Sequence, residues 1–177
     1  ANAGRTLLFD VRKNQWDDAL MEKMGIPPQM LPEVRPCDAC FGLAVEPREA
    51  FQKPLPVMAS IGDQMSALFG QTCFRRGEAK CTIGTCLNLV TYTGRYEPPA
   101  NGILPAIAAN RSGELTYELE GGVYVAGSIN EWLTDQLGIA DSPKEIDALA
   151  MQVEDSGGVY FVPAFQGGYL FSTHPSG

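Results

Sequence analysis

Glycine and proline punctuate this chain so densely that no regular element can grow long. Its 177 residues include 19 Gly and 13 Pro, and the apolar residues fall in short runs between them. A run of that size is buried only as a short strand or as one face of a brief helix. Residues 54 to 61, Pro-Leu-Pro-Val-Met-Ala-Ser-Ile, end at Gly62 and read as a buried strand. Residues 64 to 71 then place apolar side chains at 65, 68 and 69, which is helical spacing. Asp63 stands at this strand-to-helix junction, where a carboxylate is favoured as a cap and by the helix dipole.

The same punctuation divides the rest. Apolar residues at 16, 20, 21 and 24 predict a helix that starts at Asn14 or Gln15 and stops at Gly25, ahead of Pro27 and Pro28. Residues 31 to 47 read as an ordered surface loop. Residues 79 to 83, a Gly84-Thr85 turn and residues 86 to 92 predict a hairpin. A second hairpin joins 103 to 109 with 114 to 119 through Asn110-Arg111-Ser112-Gly113. Gly121-Gly122 introduces a separate strand over 123 to 126. Gly127-Ser128 opens a helix with Ile129, Trp132, Leu133 and Leu137 on one face and Gly138 at its end, with Trp132 and Leu133 in the core. Ser142-Pro143-Lys144-Glu145 is a capping box whose helix runs toward Val153. Residues 159 to 162 follow as a buried strand. The alternation argues for an α/β or α+β class.

Composition narrows the function. With 45% hydrophobic and 19% charged residues the chain is not disordered in bulk. Thirteen Lys and Arg against 21 Asp and Glu leave a net charge of −8. That charge repels a polyphosphate backbone at long range, so no nucleic-acid partner is expected. A nucleotide held by local backbone N–H groups stays compatible with it. No segment approaches the roughly 18 apolar residues that span a bilayer, and Ala1-Asn2-Ala3-Gly4-Arg5 lacks the order of a secretion signal. No membrane partner is expected. Five Cys, an odd number, fit reduced thiols in the cytoplasm. Cys37 and Cys40 have CxxC spacing but lie in a Pro-rich loop without a second pair, so they read as ordinary thiols and no metal site is expected. Lys80 reads as a solvated strand lysine and His174 as a loose terminal residue.

Three places combine a strand end, a glycine and a polar group: Gly62-Asp63-Gln64, Gly84-Thr85 and Gly127-Ser128. Such positions suit ligand binding beside helix N-termini and backbone anion cradles. Read alone, they are also consistent with a helix cap at Asp63, a plain hairpin turn, and a helix start capped by Ser128.

Residues 62 to 71, Gly-Asp-Gln-Met-Ser-Ala-Leu-Phe-Gly-Gln, strongly resemble the Gly-Asp-Gln segment of the FGGY carbohydrate kinases, among them the glycerol kinases most closely. Asn2 to Asp10, Gly25-Ile26-Pro27, Met30 to Val34, Ala79 to Gly94, Leu119 to Gly127 and Val159 to Phe165 resemble the family in order and spacing. The likeness covers residues 1 to about 165.

The resemblance implies an α/β, actin-like (ribonuclease H-like) ATPase fold, present in part. Residues 1–72 would be the end of the first domain and residues 73–177 the start of the second, with a hinge near 70 to 75 and the active site in the cleft between domains. It implies an enzyme that transfers the γ-phosphate of ATP to a hydroxyl of glycerol or a related polyol. Asp63 would be the catalytic base and also bind substrate. Gln64 would hold a neighbouring hydroxyl, and Asn88 would face the substrate where glycerol kinases commonly carry an aromatic. Gly84, Thr85, Gly127 and Glu131 would bind the nucleotide, and Mg²⁺ would bridge its phosphates. Cys86 replaces the second glycine of the usual Gly-Thr-Gly turn, and its Cβ is expected to crowd the backbone. Glu131 stands where a Gln is common. A regulatory sugar-bisphosphate loop is replaced by Gln52-Lys53-Pro54. Two further readings are a non-catalytic fragment or degenerate relative acting as a binding module, and a pentulose kinase of the same family. A piece of a two-domain protein exposes apolar surface, which leaves room for a homo-oligomer.

Overall fold

A computed structural model describes residues 1–45, 53–109, 113–163 and 165. These fall into two compact units. The first takes residues 1–80, 90–98 and 105–119, and the second takes the remaining described residues.

After a 3₁₀-helical stretch, Asn2–Thr6, the first unit forms a hairpin of β1 (Phe9–Asp10) and β2 (Gln15–Trp16), in which Phe9 is opposite Trp16. Asp10 Oδ1 accepts the N–H groups of Arg12 at 2.9 Å and Lys13 at 3.1 Å, which tightens the connection. Those bonds, Lys13's foremost, hold the Asp10 carboxyl below its ordinary range. Phe9, Ile107 and Tyr117 form a buried cluster, with Trp16 and Tyr96 packed on it. Trp16 meets the Phe9 ring edge-on at 5.3 Å. The first helix is therefore shorter than expected at its start: α1 is Asp18–Met24. Trp16 is drawn into β2, and Asp17 becomes the cap, its side chain accepting the Leu20 N–H at 3.0 Å. Gly25 ends α1 in the left-handed conformation (φ 66°), as its place before Pro27 predicts.

β3 (Gly42–Ala44) and β4 (Leu55–Val57) form a separate antiparallel ribbon. The buried strand expected over 54 to 61 is thus short and exposed. Leu55 and Val57 each keep 40% of their surface, because a two-stranded ribbon has no second layer to cover it. Residues 46–52 lie outside the described residues, and with them the comparison at Gln52.

After the ribbon comes α2 (Asp63–Gly70), with Met65 and Leu68 buried as its spacing predicts. Leu68, Cys73 and Val90 form a second cluster, against which Tyr92 packs. The exit from α2 is a left-handed reversal at Thr72 (φ 60°). Its N–H donates to Phe69 O at 3.0 Å, and the Cys73 N–H donates to Leu68 O at 3.2 Å. That is the bond pattern of a helix end that glycine ordinarily makes.

A four-stranded sheet has the order β5–β6–β8–β7. β5 (Ala79–Ile83) and β6 (Leu87–Tyr92) match the expected hairpin. β7 (Leu104–Ile107) and β8 (Tyr117–Val123) are also neighbours, although 110–112 of their connection lie outside the described residues. The separate strand expected after Gly121-Gly122 does not exist, since β8 runs straight through both glycines. Here glycine provides lateral room instead of a turn: a Cβ on Gly122 would lie 2.4 Å from the Leu87 carbonyl oxygen.

In the second unit α3 (Ser128–Glu131) continues as one wide π-helical turn, Trp132–Gln136, and Gly138 follows with φ 61°. α4 (Pro143–Ala150) starts at Ser142, whose Oγ accepts the Glu145 N–H at 3.3 Å, while Glu145 Oε2 accepts the Asp141 N–H at 2.7 Å. It ends short of Val153. Residues 159 to 162 are a second correction. They are exposed and pair with no strand among the described residues. With no partner backbone, aromatic stacking decides their course. Phe161 lies flat on Trp132 at 5.8 Å, and Phe165 is 4.9 Å from the same ring. Trp132 is accordingly half-buried and not in the core. Residues 164 and 166–177, including His174, lie outside the described residues.

A β-branched side chain in the left-handed region costs roughly 1–2 kcal/mol. Replacing Thr72 by glycine is therefore expected to stabilise the first unit by about 1 kcal/mol, seen as a raised midpoint in thermal unfolding followed by circular dichroism. An unchanged or lowered midpoint would show that the reversal is unstrained.

Candidate active site

Asp63 and Gln64 are the first two residues of α2, in the first unit. The helix is entered from Gly62, which is extended (φ −68°, ψ 152°) and occupies the cap position. Asp63 is thus one residue inside the helix and is not its cap. Its Oδ1 accepts the N–H of Gln64 at 2.8 Å, and the side chain is exposed. The first turn of an α-helix favours a negative charge there. Gln64 Nε2 lies 3.4 Å from Asp63 Oδ2, close to hydrogen-bond distance. Its Oε1 accepts from the Lys80 ammonium. Lys80 is only 6% exposed, so it is a buried lysine and not the solvated one expected. Burial on β5 does not alternate, since Ala79, Cys81, Thr82 and Ile83 are all exposed and Lys80 alone is buried.

Gly84, Thr85, Asn88, Gly127 and Glu131 belong to the second unit. The β5–β6 turn closes through Gly84 N–H donating to Cys86 O at 2.9 Å. Its carbonyls are tied to the start of α3. Gly84 O accepts the Gly127 N–H at 2.8 Å, and Thr85 O accepts the Ala126 N–H at 2.8 Å. The Ser128 hydroxyl also donates to Thr85 O, at 3.1 Å, so Ser128 braces the turn and does not cap the helix, which Gly127 does. A Cβ on Gly127 would stand 2.5 Å from Gly84 O. Only glycine permits this approach. Thr85 is left exposed.

Cys86 is not strained by its side chain. The non-glycine residues with positive φ among those described are Leu7, Asn14, Thr72 and Asn101, so the turn asks nothing at 86 that a Cβ opposes. Asn88 is half-buried on β6, its Oδ1 3.0 Å from the Cβ position of Gly122. Glu131 closes α3 one turn beyond Gly127 with its side chain exposed. Sequence reasoning missed Lys80 and Gly122. No pattern marks a lysine for burial, and a glycine pair in a strand imitates a turn.

Among the described residues no group of three or more His, Cys, Asp or Glu side chains is placed to hold a metal ion, and all five cysteines are free thiols. No helix among them is long and apolar enough to cross a membrane.

The N-terminal domain of the FGGY family of carbohydrate kinases matches residues 1–70, and its C-terminal domain matches residues 79–176. The chain is 46% identical over 168 residues to the glycerol kinase of Polaromonas naphthalenivorans, and 41% over 168 residues to that of Carboxydothermus hydrogenoformans. Each match covers 94% of this chain and 33% of the relative. Among solved structures it resembles Plasmodium falciparum glycerol kinase with ADP, at a TM-score of 0.83 and 36% identity over 93% of this chain and 33% of that one. It shares its fold with xylulose kinase from Rhodospirillum rubrum, at a TM-score of 0.73 and 20% identity over 92% and 34% of the two chains. The chain spans about a third of the length of these proteins. Matches to both halves of one family, joined in order along the chain, have a single reading: it belongs to the FGGY family of carbohydrate kinases and carries parts of both domains of that family's actin-like ATPase fold.

Proposed function

We propose that this chain is the central part of an ATP-dependent glycerol kinase, with Asp63 as the general base. The observation that carries the reading is the exposed Asp63 carboxylate at the start of α2, beside a Gln64 amide that has its own anchor. Residues 1–72 belong to the first domain and 73–177 to the second, a division supported by the family matches that end at 70 and resume at 79.

Asp63 accepts the proton of a polyol hydroxyl as that oxygen attacks the γ-phosphorus of ATP and ADP leaves. General-base help of this kind is worth roughly 10²–10⁴-fold. Gln64 orients an adjacent hydroxyl, and Asn88 contributes a polar group to the same substrate. The Gly84-Thr85 turn and Gly127 receive the phosphates, and Glu131 contacts the nucleotide one turn further on. The fit is steric: a Cβ at 127 would push on the very carbonyl that fixes the turn. Mg²⁺ accompanying the nucleotide would neutralise phosphate charge that the turn leaves uncompensated. The free thiols and acidic surface suit a cytoplasmic protein.

A second reading, a pentulose kinase, draws on Asn88, a half-buried polar side chain where glycerol kinases commonly carry an aromatic. Parallel assays of the full-length protein with glycerol and with a pentulose separate the two, since the preferred substrate has the larger kcat/KM.

In the full-length protein, Asp63→Asn is expected to lower kcat at least about 100-fold while leaving the KM for ATP unchanged, measured by ADP release. Retained turnover would remove Asp63 from its role. Gly127→Ala is expected to raise the KM for ATP by about tenfold or more, with glycerol affinity unaffected. An unchanged ATP KM would show that the phosphates lie elsewhere. Calorimetry of the chain alone with Mg-ATP tests whether it is more than a fragment, because a binding module would release heat and be stabilised.

A further inference from the structure

We propose that Lys80 is a positioning residue that dictates which way the Gln64 carboxamide faces, and so what Gln64 can recognise. The inference rests on the reading of Asp63 and Gln64 as the polyol subsite.

A primary amide has an accepting end and a donating end of nearly the same shape, so its partners alone decide its orientation. The Lys80 ammonium can only donate, and it donates to Gln64 Oε1. Nε2 is thereby turned the other way, to 3.4 Å from Asp63 Oδ2. The flipped amide would set its oxygen against the Asp63 carboxylate and its N–H groups against a cation, which is unfavourable at both ends.

Burial makes this a strong constraint. Lys80 is 6% exposed, and a desolvated ammonium gives up a partner only at a large cost. Lys80 is fixed on β5 and Gln64 on α2, so both main chains are held by regular structure. Gln64 thus offers a donor beside a base. It matches a hydroxyl oxygen next to the hydroxyl that Asp63 deprotonates, the pattern of a vicinal diol. Lys80 touches neither substrate nor phosphate in this account and acts through the amide.

The test uses the full-length enzyme. Lys80→Met keeps the aliphatic stem and removes the donors. It is expected to raise the KM for glycerol about tenfold or more and to leave the KM for ATP within about twofold. Lys80→Arg, which still only donates, is expected to restore most of the affinity. Gln64→Ala should raise the same KM, and the double variant should be no worse than Gln64→Ala alone, since both remove one effect. Effects that multiply, or an equal rise in both KM values, would overturn the role of Lys80. If Lys80→Met shows no cooperative melting, Lys80→Gln carries the same expectation, because an amide both donates and accepts and no longer dictates orientation. A wild-type enzyme inactive on glycerol and on other vicinal diols would defeat the functional reading itself, whereas an active one with multiplying effects would defeat only this inference.

Discussion

In the second unit, the site depends on two places where main chain meets main chain with no room for a side chain. Gly127 brings its N–H to 2.8 Å from Gly84 O, and a Cβ there would be 2.5 Å from the same oxygen. Gly122 repeats the arrangement one strand over, where a Cβ would be 2.4 Å from Leu87 O. These contacts anchor both sides of the β5–β6 turn. The turn's position is thus set by two missing methyl groups and a few backbone bonds, not by packed side chains. That suits a phosphate site, because fixed backbone dipoles need no reorganisation when charge arrives.

The elements with local signals were legible in the sequence. Residues 63–70 carry apolar spacing, 79–92 an alternating pattern around a glycine turn, and Ser142 to Glu145 a capping box; each forms close to its expected place. The failures share a cause, which is dependence on a partner. Trp16 left the helix pattern because Phe9 pairs with it. The glycine pair at 121–122 reads as a break because its neighbour, Leu87, is 34 or 35 residues distant in sequence. Residues 159–162 have strand composition, yet composition does not provide a strand to pair with. At the candidate site the residue types were legible through family likeness, whereas burial of Lys80 was not, since a charged residue is buried only when a specific partner compensates.

The apolar surfaces left open follow the same logic. Leu55, Val57 and Met58 on and beside β4, and residues 159 to 162, are exposed although their composition is that of interior segments. These residues correspond to about a third of the length of the relatives they match. Exposure here is therefore a property of the segment and carries no argument for a docking site.

Lys80 and Gln64 are 16 residues apart, and the chain between them must reverse direction within the first unit. Two devices fix that reversal. The left-handed Thr72 ends α2 and returns Cys73 to the Leu68 cluster. Glu78 then clamps the following turn, its carboxylate accepting the N–H groups of Phe74 and Arg75, both at 2.9 Å, and the Arg75 guanidinium at 2.7 Å. The Arg75 backbone bond, aided by the guanidinium, holds the Glu78 carboxyl below its ordinary range. A depressed folded-state value means that the clamp contributes fully above the ordinary carboxylate range and is lost as pH falls through the lowered value. At neutral pH it is therefore intact. The joint closes with Tyr92 N–H on Glu78 O at 2.8 Å, which places β5 beside β6 just before Lys80. A buried cation and a helix N-terminus so close in sequence meet because the nine residues from Gly70 to Glu78 are held at three points, and the orientation of one amide is what that rigidity secures.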